Sequence, residues 1–152
     1  MRLLFMKKQN EVIENLIETL RDGQQGFKEA AESVKDPQLK SLFSEYSKQR
    51  ARFLAELRNN VQSPDERETK VSGSAAGALH RGWINLKSAV TKGDDHSVLA
   101  ECERGEDSAV EEYQKALNDG LSAPVREMVA RQYTQIKAAH DRIRDLRDST
   151  KN

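Results

Sequence analysis

One cysteine, three prolines, 5% aromatic residues and no surplus of either charge sign: these are the shortages of this 152-residue chain, and each excludes something. A lone Cys102 cannot close an internal disulfide and lacks the companion thiols of a structural zinc site, so a reducing compartment is expected, and with it a cytoplasmic location. With 25 Lys+Arg against 25 Asp+Glu the formal net charge is zero. The chain therefore lacks the field that draws nucleic acid to a surface, and no nucleic-acid partner is expected. The longest apolar stretch of note, Leu3-Leu4-Phe5-Met6, falls far short of the roughly 20 residues that cross a bilayer. No small-residue cleavage site follows it, so neither a membrane association nor export is expected. There is no G-x-S-x-G, no phosphate-binding Walker loop, no Rossmann glycine pattern and no C-x-x-C, which removes the commonest motif-borne enzyme chemistries.

What is present is helical periodicity. At this length a single domain, residues 1–152, burying roughly 70% of its unfolded surface, is the natural expectation. Hydrophobic residues at 36% mixed with charged residues at 33% fit a folded chain better than a disordered one. Val12, Leu16, Leu20, Phe27, Ala30 and Val34 recur at spacings of three, four and seven, predicting a helix over about 9–35. Asp36-Pro37 ends it and opens the next, because proline pushes the preceding residue out of helical geometry while suiting the first turn itself. The second helix spans about 37–61 and carries Leu39, Phe43, Tyr46, Phe53, Leu54 and Leu57. A polar stretch from Ser63 to Ser74 reads as a loop. Ala76, Leu79, Trp83, Leu86 and Val90 predict a shorter helix over 75–92, ended by Gly93. Leu99, Cys102, Ala109, Tyr113 and Ala116 mark a helix over 95–118. Val125, Val129, Tyr133, Ile136, Ile143 and Leu146 mark the last, over 123–148.

Two tight helical hairpins separated by a long, partly helical crossover make an all-α, ferritin-like four-helix bundle the expected fold. An offset of about 86 or 87 residues pairs Phe27 with Tyr113 and Tyr46 with Tyr133. Internal duplication and chance agreement between two amphipathic hairpins both account for it.

Two polar residues interrupt the apolar seams. The seam of the fourth predicted helix runs Leu99, Cys102, Glu106, Ala109, Tyr113, and that of the fifth runs Tyr133, Ile136, His140, Ile143. Glu106 and His140 should therefore point inward, where each needs a partner. A carboxylate-bridged metal pair would supply one, but it requires a Glu from each of two helices and a Glu-x-x-His pair from each of the others. By the internal offset the remaining ligand positions fall on Leu20, Arg50, Phe53 and Lys137. Shifting register offers Glu18 or Asp22, and Glu45 or Gln49, but no Glu-x-x-His. The cations at Arg50 and Lys137 point instead to a salt-bridged polar cluster in place of the metal. If any metal is held, Glu18, Glu106 and His140 are the candidate ligands, with Glu45 or Glu103 assisting and iron or manganese as the ion; otherwise no cofactor is expected.

Other residues are read more plainly. Trp83 packs on the crossover stripe, and His80 lies one step off it, placed to hydrogen-bond a main helix or, as the lesser alternative, to contribute a ligand. Cys102 is a buried small hydrophobe. The alternating acids and arginines from Asp141 to Asp148 form a solvated face or line a subunit contact. Gly23 and Gly26 lie inside the first helix, where each costs about 1 kcal/mol relative to Ala, so close approach of a neighbouring helix is expected there.

The segments Asn15–Gly23, His80-Arg81-Gly82-Trp83, Glu101–Asp107 and Ala139–Arg144 together resemble a bacterial family of uncharacterised ferritin-like four-helix-bundle proteins of about 150 residues, a domain of unknown function distantly similar to rubrerythrin and ferritin. The resemblance implies the fold and a bacterial source, and no established activity. Against the rubrerythrin pattern, Glu106 and Tyr113 match the Glu and Tyr of the third bundle helix and His140 the His of the fourth. The expected role is a non-enzymatic, stress-associated or partner-binding bundle with a degenerate di-iron site, with an unidentified protein partner or a second copy of the chain. The alternative is a metal-binding protein of oxidoreductase or iron-handling type.

Overall fold

The computed structural model describes residues 2–60, Trp83 and residues 94–150. Among these, four α-helices and no strands are found: α1, Arg2–Ser33; α2, Pro37–Arg58; α3, Asp95–Leu117; and α4, Ala123–Ser149. Apart from Trp83, the helix expected over 75–92, His80 included, lies outside the described residues. No described helix is long and apolar enough to cross a membrane.

The helix ends follow from local chemistry. Asp36 is extended at φ −67°, ψ 119°, and its carboxylate accepts the Gln38 backbone N–H at 2.8 Å, with Pro37 in the first turn. Asp94 caps α3 in the same way, accepting the Ser97 N–H at 2.6 Å. Asp95 adds a contact between hairpins. Its two carboxylate oxygens accept the backbone N–H groups of Lys35 and Asp36 at 2.9 and 3.0 Å, tying the α1–α2 turn to the start of α3. At the other end of the bundle, Ser122 N–H donates to Gln9 Oε1 at 2.7 Å, joining α1 to the α3–α4 turn.

Helix α1 packs against both α2 and α3, and α3 packs against α4, giving a four-helix bundle. Its interior falls into two apolar clusters. One gathers Leu16, Leu20, Phe53, Leu57, Tyr113, Val129 and Ile136; the other gathers Phe27, Val34, Phe43, Leu99, Cys102 and Ile143. Each fully buried side chain of this size contributes on the order of 1.5–3 kcal/mol. The clusters are separated by a polar layer. On α2 the layer falls between Phe43 and Phe53, and on α3 between Cys102 and Ala109; it contains Arg50 and Glu106. At the far tip, residues 3–5 of α1 begin before the Gln9 contact, and Leu3, Leu4 and Phe5 stay exposed.

The helical glycines serve different purposes. A Cβ on Gly26 would lie 2.5 Å from the Trp83 ring, and one on Gly105 would overlap it, so α1 and α3 admit the indole only because both positions lack a side chain. Trp83 also meets Phe27 edge-on, ring centroids 5.3 Å apart. Gly23 was expected to mark a close approach, but a Cβ there would be 3.7 Å from Arg50 Cγ, an ordinary contact.

Two opposite outcomes follow. Gly105→Ala should lower stability by about 1–3 kcal/mol through overpacking, and the loss should turn into a gain in a Trp83→Ala background, where only Ala's better helix propensity remains. Gly23→Ala should be neutral or stabilising by up to about 1 kcal/mol. Urea unfolding followed by circular dichroism measures all three; a Gly105→Ala loss that persists without the indole would refute the slot.

Candidate functional site

The polar layer is an ion pair sealed in the core. Arg50 is 1% exposed and Glu106 is 0% exposed. The guanidinium donates from Nη1 to Glu106 Oε1 at 2.5 Å and from Nη2 to Oε2 at 2.8 Å, the fork-to-fork arrangement that matches both planes. Its remaining Nε–H donates to Gln49 Oε1 at 3.2 Å, and Gln49 Nε2 in turn donates to Gln135 Oε1 on α4 at 3.1 Å. The guanidinium carbon lies 5.2 Å from the Phe27 ring centroid, adding a cation–π contact in a dry setting. Both carboxylate oxygens of Glu106 are thus engaged by an obligate cation, whose charge opposes a metal ion at the same group.

A second buried network lies one turn and more away. Tyr113 Oη donates to Gln132 Oε1 at 2.6 Å, and Gln132 Nε2 donates to Glu56 Oε1 at 2.9 Å and to the Phe53 carbonyl at 3.3 Å. Burial pushes the Tyr113 phenol well above its usual range. The Cys102 thiol is likewise driven up, by burial first and then by the charges of Glu106 and Glu101, which keeps it an inert thiol.

Glu106 and His140, expected to share the interior, part company. His140 sits at the α3–α4 flank with its side chain 13% exposed. Its Nε2 is 2.5 Å from Asp107 Oδ1 and its Nδ1 is 3.0 Å from Asp141 Oδ1. Lys137, the other expected counter-ion of Glu106, turns to Asp141 at 2.8 Å. The hydrogen bond from Lys137, followed by that from His140, holds the Asp141 carboxyl down to about 2. Glu103 joins the flank and is ion-paired with Arg147.

Among the described residues, Glu103, Asp107 and His140 are the one group of three or more potential metal-ligating side chains whose donor atoms all lie within 4.8 Å. Glu18 and Glu106 are not part of it. Glu18 is half-buried on α1 beside Arg21, whose charge it helps to hold, and Glu45 is exposed on α2. Leu20 and Phe53, at the offset-matched ligand positions, are buried apolar core. Asp107 escaped sequence reasoning because it lies off the apolar seam; the signal was its spacing of four residues from Glu103, which places both on one helix face.

Removing one member of the buried pair strands the other. Glu106→Gln should cost about 3–5 kcal/mol, whereas replacing both residues with apolar ones, Arg50→Met with Glu106→Leu, should cost less than that single change. Chemical denaturation of the set measures this, and additive losses would show that the two side chains do not depend on each other.

A comparison with curated proteins finds no match. The family model described as Domain of unknown function (DUF2383) matches residues 8–119, a span that takes in α1 from Lys8, all of α2 and α3, and hence Arg50, Trp83 and Glu106. The chain belongs to that family.

Proposed function

We propose that this chain is a non-enzymatic, ferritin-like helical bundle in which an ion pair stands where related bundles hold a metal pair, and that it works by contact with another protein chain. The observation that carries this is the two-fold hydrogen-bonded Arg50–Glu106 pair, 1% and 0% exposed, at the centre of the interior. Carboxylate-bridged centres are built there by inward-facing acids and histidines from all four helices. Here the matched positions carry Leu20, Arg50, Phe53 and Lys137. The crossover topology is supported by the order of the elements, two hairpins with residues 59–94 between them, and by the packing of α1 on both α2 and α3.

The contact role is supported by the start of α1. Leu3, Leu4 and Phe5 are 81%, 70% and 44% exposed, the exposed large hydrophobics among the described residues, and they are consecutive. An apolar patch of this kind gains by being covered. A second copy of the chain is the simplest cover.

Untagged protein purified from iron-supplemented growth should contain fewer than two metal ions per chain, and Glu106→Gln should leave that content unchanged. Two irons per chain that vanish with Glu106→Gln would overturn the proposal. Leu4→Glu combined with Phe5→Glu should abolish self-association in sedimentation velocity while leaving the thermal midpoint unchanged; a wild-type chain that stays monomeric at tens of micromolar would remove the second copy as the cover.

A further inference from the structure

We propose that Glu103 and Asp107 on α3 and His140 on α4 form a surface site for one divalent transition-metal ion of the zinc type. The inference goes beyond the core ion pair and does not rest on it, since the two arrangements share no side chain.

The helix period brings Glu103 and Asp107 to one face of α3, opposite His140, and one donor atom from each lies within 4.8 Å of the others. Glu103 and His140 are walled in, with side chains 12% and 13% exposed, while Asp107 at 57% faces solvent and leaves the site an entrance. Two electronegative atoms as close as His140 Nε2 and Asp107 Oδ1, 2.5 Å apart, need a positive charge between them. A proton serves at this distance, and a metal ion takes its place once Asp107 has moved back.

The surroundings favour the ion on geometric grounds. His140 Nδ1 faces Asp141 Oδ1 at 3.0 Å; a hydrogen bond donated there leaves Nε2 as the ring atom that meets the ion, which takes the place of the proton Nε2 shares with Asp107. Asp141 lies outside the ligand group and is itself held by Lys137 at 2.8 Å and Arg144 at 3.5 Å, so the imidazole is braced from behind. Such a carboxylate backing a histidine is the usual outer arrangement of metal-bound imidazoles. Arg147 bonds one oxygen of Glu103, and a carboxylate has a second to offer. Two carboxylates balance the charge of a divalent ion, and the mixed nitrogen and oxygen donors suit zinc, cobalt, iron or manganese rather than magnesium or calcium. Tetrahedral donors at zinc bond lengths stand roughly 3.4 Å apart, so the exposed Asp107 has to swing by about an ångström. Three protein donors leave one position for water.

The test is titration of the untagged full-length chain with Zn²⁺ by calorimetry, and with Co²⁺ followed by visible absorption. One Zn²⁺ per chain is expected. His140→Ala and Asp107→Asn should each weaken binding at least tenfold, and Asp141→Asn by about 10–100-fold. Glu45→Gln, at an exposed acid of α2 outside the group, should leave it unchanged. Absence of binding, equal affinity in Asp107→Asn and wild type, or Mg²⁺ binding as tightly as Zn²⁺ would each overturn the site. Should His140→Ala lose its helical circular dichroism, the exposed Asp107→Asn still decides. Failure here leaves the core proposal standing, whereas a two-metal centre abolished by Glu106→Gln would sink that proposal and not this one.

Discussion

The bundle depends on a charge that cannot be left alone. Arg50 lies on α2 and Glu106 on α3, one helix from each hairpin, and neither is accessible to water. A pair of this kind adds little net stability over well-packed apolar residues, because desolvation offsets most of its attraction. Its effect is on which arrangement is allowed. Sliding or rotating either helix by one position would bury an arginine or a glutamate without its counterpart, at a cost of several kcal/mol. Apolar clusters on both sides tolerate small shifts; the layer between them does not. The Gln49–Gln135 bond carries the same constraint outward to α4.

Much of this was readable in the residue pattern. The seams of α3 and α4, the proline-opened start of α2 and the inward aim of Glu106 follow from periodicity and capping alone. The choice between Arg50 and Lys137 as its counter-ion did not. Both fall at matched positions; the signal against Lys137 was its i, i+4 spacing from Asp141, the acid it meets on its own helix. The seam also misjudged His140. Its periodicity is apolar, yet it sits at the edge of the stripe, facing the flank of α3 while Ala139 and Ile143 beside it stay in the interior. The slot between Gly26 and Gly105 was half visible: Gly26 stood out inside a helix, but its neighbour proved to be an indole distant in sequence rather than a helix face.

Adjacent acids on α3 illustrate how sharply a helix sorts chemistry. Glu106 and Asp107 differ by about 100° around the axis, and that rotation separates an acid sealed against a guanidinium from a solvent-facing acid beside an imidazole. One acid is committed to holding the fold together. The other, at 57% exposure, is free to exchange its companion.

Trp83 is the chain's one tryptophan, and it is wedged where α1 and α3 both lack side chains. Its emission therefore has a single origin, at the seam between the two hairpins and beside Phe27. Any loosening of one hairpin from the other would wet that ring and shift its fluorescence to longer wavelength. The molecule thus carries a built-in optical gauge of its own closure, readable without a label.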